Sequence, residues 1–234
     1  MNEHTSKNFD LELENLRTRV LQMGGLVEQQ VRRAMEGLHE GDTALLEAVI
    51  RDDNRVNQME NELDLACNQV IAKRQPTAID LRMIITVLKS ISDLERIGDK
   101  ARKIARLGVV LHDQHTAGAP QVELNHIADL ALSMLRSALD AFARLDVSAA
   151  AETLHLDETV NTEYQAVVRQ LITYMMEDPR TISSALDIMA IAKAIERVGD
   201  HAKNISEYVI YMVKGFSVRH VSPREIDEKI AAAS

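Results

Sequence analysis

Two similar segments of ten residues, ERIGDKARKI at residues 95–104 and ERVGDHAKNI at residues 196–205, point to the architecture of this chain. A weaker pair precedes them at matching positions, with DNRVN at residues 53–57 and DETVN at residues 157–161. Both pairs occur in the same order and at nearly the same spacing, which is much more typical of a tandem duplication than of coincidence. The two halves of the chain should therefore fold in the same way.

The residues around both segments follow a helical pattern. In the second copy the apolar positions recur every three or four residues, at Ile188, Ile191, Ile195, Val198, Ala202, Ile205, Val209 and Met212. Such a pattern is typical of a helix that buries one face in a bundle. Gly24 and Gly25 interrupt the first helix pattern without ending it, which predicts close packing or a bend there. Only 3% of the residues are aromatic and none is Trp, so an aliphatic core and an all-α fold are expected.

Breaks in the pattern divide each half into three helices. Asp42 and Asp146 are placed to cap the second helix of their half, and Pro76 and Pro179 mark where that helix ends. Residues 113–121 contain glycine, proline and small residues and are the predicted linker. We therefore expect two tandem, pseudo-symmetric three-helix bundles of long antiparallel helices. The predicted domains are residues 8–113 for the first bundle, 122–215 for the second bundle and 216–234 for a C-terminal tail with a short helix.

The composition disfavours several classes of function. The net charge is −9 at pH 7 and the pI is about 5.4, which disfavours nucleic-acid binding and a general basic membrane-binding surface. Cys67 is the one cysteine, so no internal disulfide can form, and it is expected to be a small core residue. The first residues have no apolar h-region, so we expect no signal peptide, and no uncharged apolar run approaches about 20 residues. We expect a cytoplasmic protein that meets a membrane only through partners.

The repeated pattern of Glu and Asp around a glycine is the most informative feature of the sequence. Glu95 and Asp99 lie on one face of their helix, as do Glu196 and Asp200, and both pairs flank the apolar seam. Like charges at this spacing repel each other, and a glycine inside a helix costs about 1 kcal/mol relative to alanine. Two costs placed identically in both halves indicate a functional site.

Carboxylate stripes of this kind predict metal binding. The candidate ligands are Glu95, Asp99, Glu196, Asp200, Asn204 and Glu207. Asn204 and Glu207 extend the second stripe. Oxygen atoms of a stripe, joined by Asp53, Asn57 or Glu60 from a neighbouring helix, would suit hard cations such as Mg²⁺, Mn²⁺ or iron. The alternative interpretation is a solvated stripe whose charge is offset by neighbouring Arg and Lys residues.

Three Glu-x-x-His pairs provide a rival metal motif. They lie at residues 36–39, 123–126 and 152–155, near predicted helix ends, whereas a ferritin-like di-iron centre needs such pairs in the middle of a bundle. No GxGxxG, P-loop or HExxH motif occurs, and no residue is assigned as catalytic or cofactor-binding. The leading hypothesis is therefore a binding regulator and not an enzyme. A carboxylate-bridged metal oxidase or phosphatase is the main alternative, and a structural scaffold is the third.

The two ten-residue segments, each in the third helix of a duplicated bundle, resemble those of the PhoU family. MGGLV at residues 23–27 and VKG at residues 213–215 add to a resemblance that extends over about residues 8–225. It implies two pseudo-symmetric bundles and a negative regulator of phosphate uptake and phosphate-starvation signalling. It also implies that the partners are the ATPase subunit of a phosphate ABC transporter and a phosphate-sensing histidine kinase. We further expect a homodimer.

The same resemblance supports metal binding. Some relatives bind iron or zinc clusters through E/D-x-x-x-D motifs, which map onto the Glu and Asp pair of each segment. Iron, zinc, manganese and magnesium are therefore the expected metals. In the first copy Lys103 and Arg106 stand where the second copy has Asn204 and Glu207. Because these cations oppose metal binding, we expect the second copy to hold a metal more tightly.

Overall fold

The computed structural model describes residues 2–113, 120–219, 221 and 223–232, and this part of the chain contains helices and no strand. The helices are α1 (Asn2–Glu40), α2 (Thr43–Arg74), α3 (Ala78–Asp113), α4 (Asn125–Arg144), α5 (Val147–Glu177), α6 (Ile182–Lys214) and α7 (Pro223–Ala232). A 3-10 turn at Pro179–Thr181 leads into α6. No helix in these ranges is long and apolar enough to cross a membrane. The predicted all-α fold is confirmed.

Local sequence determines where several helices begin and end. The Asp42 carboxylate accepts a hydrogen bond of 3.0 Å from the backbone N–H of Leu45 at the start of α2. Asp146 accepts two backbone hydrogen bonds at the start of α5. Gly215, with a φ of 81°, ends α6 in the left-handed conformation that glycine adopts most readily. The predicted caps at Asp42 and Asp146 are confirmed.

Part of the predicted domain organisation lies outside the described residues. Residues 114–119 of the predicted linker are not among them. The short helix predicted in the tail is α7. The domain boundaries themselves stay a prediction.

The long helices form two groups of three that pack side by side. α1, α2 and α3 contact one another, as do α4, α5 and α6, and the largest contact between the groups is that of α3 with α6. α1 also packs against α4 on one face of the molecule, whereas α2 and α5 pack on the outer sides of α3 and α6. The two repeated segments therefore lie in the two central helices.

α1 and α4 approach each other closely at Gly24. A Cβ atom added there would lie 2.6 Å from Cδ1 of Leu139 in α4, so any larger residue would push Leu139 aside. α1 runs without interruption through Gly24 and Gly25, and a Cβ atom at Gly25 would have no neighbour within 4 Å. Close packing is therefore the correct interpretation of this pair, and it applies to Gly24 alone.

The core is aliphatic, as the composition predicts. Buried Leu, Ile, Val, Ala and Met side chains line the inward faces of all six long helices. Cys67 is fully buried in α2, and burial raises the pKa of its thiol to about 12. A thiol that ionises so reluctantly is a poor nucleophile, so Cys67 is a core residue.

Candidate functional site

The first Glu and Asp pair lies beside two carboxylates of α2. Glu95 and Asp99 of α3 are close enough to Asp53 and Glu60 to interact with them electrostatically. The guanidinium of Arg102 bridges the two helices, donating to Oδ2 of Asp53 and to Oδ1 of Asp99 at 2.5 Å each. We call these four carboxylates with Arg102 the first cluster. The predicted approach of α2 carboxylates to the first stripe is confirmed.

The first cluster carries more negative charge than its cation neutralises. Burial raises the pKa of Asp53 above its ordinary value, and Arg102 offsets this only in part. Burial also raises the pKa of Glu95, and the charges of Asp99 and Glu60 add to that effect. The pKa of Glu60 is raised by burial as well. A raised carboxyl pKa means that the ionised form is poorly compensated, and a bound cation would supply the compensation.

Buried polar atoms beside the first cluster lack hydrogen-bond partners. Oδ1 of Asp53, Oδ1 of Asn57 and both amide atoms of Gln30 in α1 are buried and make no hydrogen bond within the described part of the chain. Gly98 permits their approach, since an added Cβ atom would lie 3.3 Å from Gln30 Oε1 and 3.5 Å from Asp53 Oδ1. Burying unpartnered oxygens is unfavourable. These atoms therefore fit a hard cation or an ordered water.

In the second copy each carboxylate has a cation of its own. Glu196 of α6 is buried and accepts a hydrogen bond of 2.6 Å from Lys193, and Asp200 accepts one of 2.9 Å from Arg197. Burial, with the charge of Glu196, still raises the pKa of Asp200. Ser92 stands in the first copy at the position of Lys193. The second copy therefore has an ammonium group where the first has a hydroxyl.

One ion pair is repeated in both halves. Lys203 of α6 donates to Asp157 of α5 at 2.7 Å, as Arg102 of α3 donates to Asp53 of α2 at the equivalent positions. Both pairs connect the second helix of a bundle to its third helix. The second cluster consists of Asp157, Glu196, Asp200, Lys193, Arg197 and Lys203.

Asn204 and Glu207 lie C-terminal to the second cluster along α6, and Glu207 interacts electrostatically with Lys203 of that cluster. Their role as metal ligands stays a prediction. Asn204 lies about 80° around the helix from Glu196, faces α3 and donates to Oδ1 of Asp93 at 3.2 Å. Glu207 lies three turns beyond Glu196, about 16 Å along the axis, and its carboxylate is 3.7 Å from Arg219. Helical periodicity predicts which face of a helix a residue lies on. It does not show how far that residue is from the other members of a site.

The structure adds cations that the charge argument for a tighter second metal site did not include. That argument rested on Lys103 and Arg106, but the second cluster contains three cations that pair with its carboxylates. In the described ranges no group of three or more His, Cys, Asp or Glu side chains is arranged to hold a metal ion. A metal at the first cluster would therefore have to displace Arg102. Metal binding stays a prediction. Oε2 of Glu196 in the second cluster is also buried without a hydrogen-bond partner in the described part of the chain, so the preference for the first cluster depends on its uncompensated charge.

A buried hydrogen-bond network connects α3 to α6. Asp93 of α3 is 1% exposed, and its carboxylate accepts from Nδ1 of His201 at 2.7 Å, the amide of Asn204 at 3.2 Å and the hydroxyl of Tyr208 at 2.8 Å. Burial opposes ionisation, but these hydrogen bonds outweigh it and hold the pKa of Asp93 below its ordinary value. A buried carboxylate with three donors anchors the helices that supply them. We call these four residues the seam network.

The seam network breaks the pseudo-symmetry of the two halves. The positions of Asp93 and Tyr208 correspond to Ala194 and Leu107 in the other copy, so the network cannot be formed twice. It lies where the first half of α3 meets the second half of α6. The two similar bundles are therefore held together by an asymmetric contact.

Comparison with known proteins identifies the family. The sequence model of the PhoU domain matches residues 20–108 and 124–209, one match in each bundle. The chain belongs to the PhoU family. The resemblance and the tandem duplication predicted from the sequence are both confirmed.

PhoU proteins align with this chain along nearly its whole length. A phosphate-specific transport system accessory protein PhoU homolog of Pseudomonas putida is 46% identical over 230 residues, which cover 98% of this chain and 90% of that protein. The phosphate-specific transport system accessory protein PhoU of Escherichia coli K12 is 46% identical over 231 residues, which cover 99% of this chain and 95% of that protein.

Crystal structures of PhoU proteins have the same architecture. PhoU of Pseudomonas aeruginosa matches with a TM-score of 0.85 and 47% identity, covering 89% of this chain and all 100% of that chain. The phosphate transport system regulatory protein PhoU of Streptococcus pneumoniae matches with a TM-score of 0.83 and 32% identity. The match covers 90% of this chain and 99% of that chain. The predicted architecture of two tandem helical bundles is thereby confirmed.

Three further residues matter in this PhoU structure that the sequence prediction does not include. Asp93 stands four residues before Ile97 on the apolar stripe of α3, and an ionisable residue at a core position is a signal that the sequence does contain. Lys193 precedes Glu196 by three residues, a spacing at which helical side chains pair. Gln30 gives no such signal, because its role depends on how α1 packs against α3.

Proposed function

We propose that this PhoU-family protein is a cytoplasmic negative regulator of phosphate uptake and phosphate-starvation signalling. It couples the ATPase subunit of a phosphate ABC transporter to a phosphate-sensing histidine kinase. Similarity over the full length carries the proposal, because the E. coli relative, named a phosphate-specific transport system accessory protein, aligns with 99% of this chain. The S. pneumoniae neighbour is described as a phosphate transport system regulatory protein, which supports the regulatory part.

The architecture supports binding more than catalysis. An adaptor has to contact two partners, and the duplicated fold offers two related bundles that differ in charge and are held together by the seam network. In the second cluster each carboxylate is bonded to a Lys or an Arg. Such pairing neutralises groups that an enzyme would use as metal ligands or general bases.

Deleting the gene in its own host tests the regulatory role. In phosphate-rich medium a phosphate-starvation reporter should be on in the deletion strain and off in the parent and complemented strains. Deleting the histidine kinase as well should switch the reporter off again, since the proposal routes the signal through the kinase. Unchanged reporter output in the single deletion contradicts the regulatory role. A reporter that stays on without the kinase contradicts the coupling.

Purified components test the assigned partners. The chain should bind the transporter ATPase subunit and the cytoplasmic part of the kinase in separate titrations, and absence of either complex would remove that partner from the proposal. Light scattering of the chain alone should give twice the monomer mass of 26.1 kDa if it is a homodimer. A monomer would refute the dimer and leave the regulatory role to the genetic test.

A carboxylate-bridged metal enzyme, an oxidase or a phosphatase, is the second candidate, and the first cluster favours it. Asp53, Glu60, Glu95 and Asp99 would hold an iron, zinc, manganese or magnesium ion, with the unpartnered Oδ1 of Asp53 as one ligand. A bound metal would supply a Lewis acid or a redox centre. Metal analysis after purification without chelator, followed by phosphatase and oxygen-consumption assays, tests this candidate. Bound metal without turnover would favour the regulator.

A further inference from the structure

Four basic residues of α3 follow one another at intervals of seven residues. They are Arg82, Lys89, Arg96 and Lys103. We call them the basic row. The equivalent positions of α6 are occupied by Ser183, Ala190, Arg197 and Asn204. α6 takes the same place in the second bundle with a single basic residue at these positions, so the row is a feature of the first bundle alone.

The basic row faces the seam between α3 and α6. Nε of Arg82 donates to a backbone carbonyl of α6 at 3.4 Å. Nζ of Lys89 lies 5.4 Å from the ring centroid of Tyr208 and 5.5 Å from that of Tyr211, both in α6. The guanidinium of Arg96 is 3.7 Å from the carboxylate at the centre of the seam network. Three members of the row therefore follow the line along which the two bundles meet, and Lys103 continues the same interval along α3.

This seam is open to solvent on one face of the molecule. α1 and α4 close the opposite face by packing together, whereas α2 and α5 pack on the outer sides of α3 and α6. Lys89 is exposed, and the side chains of Arg96 and Arg197 are 56% and 52% exposed. α2 and α5 thus flank the exposed strip of α3 and α6 that carries the basic row, and we call this strip the groove. Arg219 of the C-terminal segment lies 5.8 Å from the Tyr208 ring centroid at one end of it.

A line of cations is unexpected in a chain with a net charge of −9. Within the described residues neither Lys89 nor Lys103 forms an ion pair. Each of these two ammonium groups lacks a counter-charge of its own, and a ligand of opposite charge would supply one.

We propose that this groove docks an acidic α-helix of a partner protein. Seven residues of a helix span about 10.5 Å, so a partner helix with Glu or Asp at heptad intervals presents one carboxylate to each member of the basic row. Helices pack readily along the groove between two other helices. Tyr211 adds ring surface near Lys89 for apolar contact. The proposal does not depend on the proposed function, since it names only the chemistry of the occupant.

The acidic clusters beside the groove narrow the choice of occupant. The first cluster lies on the α2 side and the second cluster on the α5 side. A membrane surface or a nucleic-acid duplex would bring its phosphates against these carboxylates as well as against the cations. A single helix, about 10 Å across, can contact the central cations alone. The arrangement of charges therefore favours a helix.

A synthetic peptide tests the groove directly. The probe is a fluorescein-labelled amphipathic helix with Glu once in each heptad, and the control peptide has Gln at the same positions. In anisotropy titrations the full chain should bind the Glu peptide at least tenfold more tightly than the Gln peptide. The double variant Lys89→Glu, Lys103→Glu should weaken binding of the Glu peptide at least tenfold, because two attractive contacts become repulsive. Its circular dichroism spectrum should be unchanged.

A matched variant separates docking from general attraction. The double variant Arg32→Glu, Arg51→Glu changes the net charge by the same amount at exposed positions of α1 and α2, and it should weaken binding less than threefold. Equal losses in the two variants, or equal binding of the two peptides, would overturn the proposal. Tighter binding of anionic lipid vesicles or duplex DNA than of the Glu peptide would overturn it too. If the first variant misfolds, Lys89→Gln with Lys103→Gln gives the same comparison with a smaller expected loss.

Discussion

The first and second clusters are built on the same sequence pattern but neutralise their carboxylates differently. In the first cluster Arg102 bridges two of four carboxylates, whereas in the second each carboxylate is bonded to its own cation. Two exchanges account for much of the difference. Ser92 and Glu60 of the first copy are replaced in the second by Lys193 and Tyr164, and the ammonium of Lys193 lies 4.9 Å from the Tyr164 ring centroid. Duplicated segments with the same core motif can thus acquire different chemistry through their neighbours.

Removing the cation of the repeated ion pair should give the largest difference between the two clusters, measured as the loss in the free energy of unfolding. Arg102→Ala leaves Asp53, which is 2% exposed, without its counter-charge and should lower the free energy of unfolding by about 3 kcal/mol. Lys203→Ala removes the equivalent cation from Asp157, whose side chain is 13% exposed, and should cost about 1 kcal/mol. Urea unfolding followed by circular dichroism measures both. Equal losses would show that the two ion pairs contribute alike.

Metal affinity offers a second comparison. Asp99→Ala should weaken the binding of Mn²⁺ about tenfold, because the first cluster has carboxylates that its own cation does not neutralise, whereas Asp200→Ala should weaken it less than twofold. Calorimetric titration of protein prepared without chelator measures both, with folding checked by circular dichroism. A larger loss for Asp200→Ala would support the original expectation of a tighter second site. No binding by the unmodified chain would show that both clusters are neutralised internally.

Alanine substitutions at the two mid-helix glycines, Gly98 and Gly199, compare how tightly the two bundles pack there. At Gly199 the atom nearest to an added Cβ is 3.4 Å away, an ordinary contact, so alanine should raise the free energy of unfolding by up to about 1 kcal/mol through helix propensity. A Cβ atom added at Gly98 would lie 3.3 Å from both Gln30 Oε1 and Val56 Cγ1. The cost of displacing these two atoms should cancel the gain in helix propensity. Thermal unfolding of Gly98→Ala and Gly199→Ala measures the difference. Equal stabilisation would mean that Gln30 moves aside freely.

The smallest expected effect concerns pH. Because the pKa of Glu95 is raised in the folded state, the folded chain binds more protons than the unfolded chain above about pH 4, and stability falls as the pH rises through that interval. Glu95→Gln should therefore stabilise the protein at pH 7 by roughly a few tenths of a kcal/mol and reduce this decline. Glu196→Gln loses the contact with Lys193 and should destabilise it. Melting curves between about pH 4.5 and 7.5 measure both, and the same sign for both variants would contradict the difference in charge balance.

The features that the sequence predicts correctly depend on residues close together in the chain. Asp146 caps α5 through backbone groups two and three residues away, and Glu95 and Asp99 share a face because a helix has a fixed period. The sequence does not indicate the hydrogen-bond partner of Asn204, because Asp93 is 111 residues away and the packing of α3 against α6 decides where the amide turns. Periodicity in one sequence identifies which residues share a face of a helix. Which residues of another helix pack against that face depends on how the two bundles assemble.

The seam network joins residues that the ribosome makes far apart in time. Asp93 and Tyr208 are separated by 115 residues, and at about 5–20 residues per second their synthesis is separated by roughly 6 to 23 s. The first three helices can therefore pack while the Asp93 carboxylate is still hydrated, and the docking of α6 is the step that removes it from water. The order of synthesis makes the joining of the two bundles a late event, after the first has formed its own core.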